Sequence, residues 1–98
     1  MKYIILRLDG TIPREVPVIF PDLLVHADVA SAITTMIQAD TDTSTSITGI
    51  RVVSAGFCNT AVECHGRSES LNISSREIDD TVINTVDYTF GLLFGEQS

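Results

Sequence analysis

The chain has 98 residues, 44% of them hydrophobic, with thirteen acidic against six basic side chains and a formal net charge of −7. That is enough for one domain, residues 1–98, burying roughly two thirds of the surface its unfolded chain exposes, with no need of a disulfide or metal to fold. The charge argues against direct binding to a nucleic-acid backbone, which relies on clustered Lys and Arg, and against anionic membrane surfaces.

The chain starts MKYIILRLDG, where an apolar run from Tyr3 to Leu8 is broken by Arg7. The run is too short for a signal-peptide core and no small-residue cleavage site follows it. Nothing approaches the roughly 20 apolar residues of a membrane helix. The expected setting is therefore a reducing cytoplasm in which both cysteines stay thiols, and the glycosylation-like Asn72-Ile73-Ser74 is idle there. Residues 2–8 read as a strand whose Ile4, Leu6 and Leu8 form a wholly apolar face, with Tyr3, Ile5 and Arg7 on a mixed one. Asp9-Gly10 supplies a turn. The next run, Val16 to Phe20, contains Pro17, which cannot donate to a ladder and so places this strand at a sheet edge or leaves one side unpaired.

From about Ala27 the period changes, and Val29, Ala30, Ile33, Met36 and Ile37 fall on one stripe of an amphipathic helix. Asp28 suits its first turn, and His26 is read as part of the N-terminal cap. The helix should stop near Gln38, before a flexible polar loop over residues 39–48 whose Ser, Thr and Asp side chains compete for the backbone. Ile50 to Cys58 then reads as a strand, Ala61 to His65 as its hairpin partner, and Ser70 to Ile73 as a short third piece. Ser74-Ser75-Arg76-Glu77 has the spacing of a capping box and opens a helix with Ile78, Val82, Ile83 and Val86 toward the core, ending at Gly91.

The stretch FCNTAVECHGRS holds both cysteines and His65. With a hairpin turning through Asn59-Thr60, Cys58 would face Ala61 and Cys64 would face Ala55. Cys64 then shares an apolar face with Val53, Ala55, Phe57 and Val62, while Cys58, Glu63 and His65 share the other. In that register the sulfurs point to opposite sides, so neither a disulfide nor shared coordination of an ion forms; a longer loop would change the register. The spacing of Cys58, Cys64, His65 and His26 also matches no paired zinc-ligand set, and Glu63 beside Cys64 opposes a thiolate. Gly66-Arg67-Ser68-Glu69-Ser70 lacks the last glycine of a nucleophile elbow, and Asp40 and Asp42 lack the glycine and distal glutamate of a calcium loop. No catalytic residue, metal site or cofactor is expected.

Two surfaces suit protein contacts. Glu77, Asp80, Asn84 and Asp87 recur as one acidic stripe along the last helix, a solvated face or a match for a basic partner. The apolar tail Leu92-Leu93-Phe94, with the edge strand at Val16 to Phe20, suits a homo-oligomer formed by tail packing or edge pairing.

Three fragments, VIFPDLLVHADVA, VSAGF and CHGRSESLNISSREIDD, together resemble a group of short hypothetical proteins of tailed bacteriophages and prophages. The resemblance runs from residue 18 to about residue 80. It implies a source and a setting, the cytoplasm of an infected bacterial host or the virion, and carries no known activity and no functional residues.

The expected fold is α+β, a small mostly antiparallel sheet of four to five strands with two helices packed on one face, in the order ββαβββα. The expected function is that of a non-enzymatic phage accessory or virion-associated protein. It would act through contacts with a phage or bacterial host protein, with no direct nucleic acid and no membrane. One alternative is an acidic inhibitor of a host nucleic-acid-binding protein. Another is a small thiol- or metal-dependent enzyme centred on Cys58, Cys64 and His65.

Overall fold

The computed structural model of the chain describes residues 1–40, 47–85 and 90–91. The elements follow as β1 (Lys2–Gly10), β2 (Arg14–Phe20), α1 (His26–Ala39), β3 (Ile47–Cys58), β4 (Cys64–His65), β5 (Arg67–Ser68), β6 (Ile73–Ser74), α2 (Asp79–Thr85) and β7 (Phe90–Gly91). The fold is α+β. Four antiparallel strands lie in the order β4-β3-β1-β2, the two-residue β7 adds to β2 in parallel, and β5 and β6 form a separate small sheet.

β1 is central because both of its faces are apolar. Tyr3, Ile4, Ile5 and Leu6 are all fully buried, and each such side chain contributes about 2 kcal/mol relative to an exposed one. Ile4 and Leu6 face α1, packing with Val18, Phe20, Val29, Ala30, Ile33 and Ala55. Tyr3 and Ile5 face the other way, packing with Cys58 and with Ile83 of α2. The two helices therefore cover opposite faces of the sheet. The expectation of both helices on one face is corrected here: alternation along β1 exposes two greasy surfaces, and each needs a cover. The order ββαβββα is corrected as well, to ββαββββαβ among the described residues.

Pro17 is opposite Ile5, and the β7 ladder touches β2 only at Val18 and Ile19, so no described strand requires the missing N–H. The β1–β3 register slips between Ile5 and Leu6, where Ser54 and Val52 are the partners and Val53 is the extra residue. This bulge reverses the alternation of β3. Ile50 and Val52 thereby join Ala55 under α1, while Val53 packs on the opposite side with Tyr3 and Ile5.

α1 buries Val29, Ala30 and Ile33 as the periodicity requires, whereas Met36 is exposed. Of the polar stretch 39–48, Ala39 ends α1, Asp40 is its C-cap and residues 47–48 open β3; residues 41–46 lie outside the described residues. The last helix begins at Asp79, later than the capping-box spacing suggests, because Ser74 is taken by β6. The Arg76 carbonyl accepts from the Asp79 N–H (3.1 Å), and the Asp79 carboxylate reaches back to the Arg76 N–H (2.9 Å). Half of a capping box is thus present two residues downstream, with no hydroxyl partner. Ile78 falls before the helix and is exposed.

Candidate functional site

Three groups of polar or reactive side chains stand out, and the sheet decides what each can do. The first lies under α2. Asp79 is fully buried and accepts four hydrogen bonds: from the Tyr3 hydroxyl, from Ser54 Oγ (3.0 Å), from the Arg76 N–H (2.9 Å) and from Arg76 Nε (2.9 Å). Arg76 spends its remaining donors on Glu15 of β2, at 2.8 and 3.3 Å. The hydrogen bonds to Glu15 and Asp79 hold the Arg76 guanidinium protonated, its pKa raised above the ordinary value. Burial, together with Asp79, pushes the Tyr3 phenol far above its usual range. The cluster ties β1, β2, β3 and α2 together.

The second group is the thiol pair. The hairpin joins β3 to β4 through residues 59–63, so Cys58 pairs directly with Cys64 and Phe57 with His65. The expectation of a tight turn through Asn59-Thr60 is overturned by the Asn59 side chain. Its Oδ1 accepts from the Ala61 and Glu63 N–H groups (2.9 and 3.0 Å) and its Nδ2 donates to Glu63 Oε1 (2.7 Å). Val62 takes a left-handed conformation, φ 60°, to close this longer loop, and packs on the core beside Tyr3. Both sulfurs therefore lie on the α2 face, and His65 lies on the other. Cys58 is the buried cysteine and Cys64 the half-buried one; both are free thiols. Burial raises both pKa values, that of Cys64 to about 11, so neither is a thiolate at neutral pH. Among the described residues no three His, Cys, Asp or Glu side chains are placed to hold a metal ion.

The third group is on the α1 face at the β3–β4 end. His26 does not cap α1. Its ring is buried edge-on between Phe20 (5.4 Å) and Phe57 (5.6 Å), and its Nε2 is 2.8 Å from the Gly56 carbonyl, to which it donates. Burial lowers its pKa, partly offset by the Gly56 carbonyl. His65 stacks on the far side of Phe57, at 6.1 Å. The Ala27 N–H at the start of α1 is met by Ser70 Oγ (3.1 Å) from the loop between β5 and β6. Beside this contact is an open cleft of about 460 Å³, lined by Lys2, Val25, His26, Phe57, Arg67, Glu69 and Ser70. Lys2 donates to the Leu24 carbonyl (2.8 Å), and Arg67 contacts Asn72 and, more loosely at 3.7 Å, Glu69. Val25 and Leu23 beside it are exposed, Leu23 to 84%. The cleft thus combines an aromatic floor, an apolar lip and two cations in a chain that is strongly acidic overall.

The acidic stripe is only partly assembled. Glu77 is exposed but precedes α2, and Asp80 is half-buried in its first turn. Asn84 is exposed and donates to the Asp80 carbonyl (2.8 Å). Asp87, Leu92, Leu93 and Phe94 lie outside the described residues. The sequence reading missed Asp79 and the cleft. For Asp79 a signal existed, since it stands four residues before Ile83, one turn along the expected core face; for the cleft there was none, since its walls are distant in sequence. Among the described residues no helix is long and apolar enough to cross a membrane. Comparison of the chain with family models, with curated proteins and with solved structures gives no match.

Proposed function

We propose that this chain is a non-enzymatic accessory or virion-associated protein of a tailed phage or prophage, and that it works by holding a protein partner in the cleft between α1 and the β5–β6 loop. One observation carries the reading. Val25, Phe57, Lys2 and Arg67 line one open cleft together with Glu69, its cations held locally by the Leu24 carbonyl and by Asn72 and Glu69. Such a surface suits a segment with one apolar side chain to cover Val25 and Phe57 and a carboxylate to meet Lys2 and Arg67. The three fragments that carry the phage resemblance supply every lining residue except Lys2.

The test is affinity capture from infected cells, with the parent chain and the Val25→Asp/Arg67→Glu variant side by side. Capsid or tail proteins retained by the parent and lost at least tenfold by the variant are the expected result. Capture of a host nuclease or helicase that survives this variant but fails with Asp80→Lys would instead favour the acidic-inhibitor reading and sink the cleft.

A further inference from the structure

We infer that Cys58 and Cys64 form a dithiol–disulfide site, which a small-molecule disulfide such as oxidised glutathione converts to a cross-strand bond between β3 and β4. The argument starts from the ladder. The Cys58 N–H donates to the Met1 carbonyl (2.8 Å), and the Met1 amino group donates to the Cys58 carbonyl (3.0 Å), so both backbone groups of Cys58 point toward β1 and away from β4. On the β4 side the next bond is from the Asn59 N–H to the Glu63 carbonyl (3.4 Å). Cys58 and Cys64 are therefore a non-hydrogen-bonded pair, directly opposite each other. Such pairs hold their Cα atoms about 4.5 Å apart with the side chains on the same face and close together. That is within the range a disulfide spans without backbone movement. A hydrogen-bonded pair would sit about 1 Å wider.

The hairpin is also held in place from outside. Asn59 fixes the loop by three hydrogen bonds, and the Phe57–His65 stack clamps the adjacent pair on the opposite face. The sulfurs are thus brought together by contacts that do not involve them. Half-buried Cys64 is the point of entry and buried Cys58 resolves. Cys64 gives its proton to solvent base, and its thiolate attacks one sulfur of oxidised glutathione. The glutathione S–S bond breaks, and a mixed disulfide remains as one glutathione thiolate leaves. Cys58, deprotonated in turn, attacks Cys64 Sγ and expels the second glutathione thiolate. Two protein thiols are oxidised and one glutathione disulfide is reduced to two glutathiones. Because burial keeps both thiols protonated, the rate rises about tenfold for each pH unit up to the pKa of Cys64.

This site does not depend on the proposed partner cleft, and its test needs no partner. The reduced full-length chain is equilibrated with reduced and oxidised glutathione, quenched with acid, and read by intact mass and peptide mapping, once natively and once in urea. Expected is a loss of two hydrogens mapped to a Cys58–Cys64 bond, favoured at least tenfold more in the native chain than in urea. Cys58→Ala should stop at a mixed disulfide on Cys64, and Cys64→Ala should leave Cys58 unmodified in the folded chain. A parent chain that accumulates only the mixed disulfide, or whose native pair is no easier to oxidise than in urea, overturns the inference.

Discussion

Asp79 carries the sharpest energetic prediction. Replacing it by alanine removes the acceptor for the Tyr3 hydroxyl and for Ser54 Oγ, both in the interior, and for two donors of Arg76. Each buried hydroxyl left without a partner costs about 1–3 kcal/mol. Arg76 keeps Glu15, and its side chain is 29% exposed, so its share is smaller. The sum is about 3–5 kcal/mol, the range expected when one member of a buried charged pair is deleted, and a large part of the roughly 5–15 kcal/mol that holds a domain of this kind together. Asp79→Asn keeps the shape and one acceptor but faces Arg76 with an N–H, so about half the loss is expected. The informative step is the cycle with Tyr3→Phe. In the parent, Tyr3→Phe costs about 1–2 kcal/mol; in the Asp79→Ala chain it should cost nothing, because the hydroxyl it removes is already stranded. Equilibrium urea unfolding followed by circular dichroism reads all four chains. An Asp79→Ala loss below about 1 kcal/mol, or strict additivity with Tyr3→Phe, would refute the account of the cluster.

Two further outcomes follow from the α1 face and the hairpin. A Cβ placed on Gly56 would lie 2.5 Å from the His65 carbonyl oxygen and 3.4 Å from Ser75 Cβ, so Gly56→Ala should lower stability by about 1–3 kcal/mol and perturb the His65 ring resonances. The folded-state pKa of His26 is below the ordinary imidazole value of 6.5 because its ring is buried, so the unfolded chain binds the extra proton. Its contribution is intact above pH 6.5 and is lost as the pH falls through the folded value. Stability measured by urea unfolding from pH 7 to about pH 5 should therefore fall less steeply in His26→Phe than in the parent.

Local pattern in the sequence was sufficient for the long elements of the first forty residues. The alternation of Tyr3 to Leu8, the proline in Val16 to Phe20 and the stripe from Val29 to Ile37 depend on neighbours within one or two turns, and each produced the expected strand or helix. The mixture of strand and helix patterns likewise pointed to an α+β fold. Three things were decided only when distant segments met. The bulge at Val53 answers to the spacing of β1 and reverses which β3 side chains share a face. The hairpin register answers to Asn59, whose side chain outcompetes the tight turn and brings the two cysteines into line. The burial of Asp79 answers to Tyr3, Ser54 and Arg76, spread across the chain from residue 3 to residue 76. Period and propensity are local, whereas strand register and the pairing of a buried charge are set by partners far away in sequence. That is why the first strands and the first helix were visible beforehand and the sites were not.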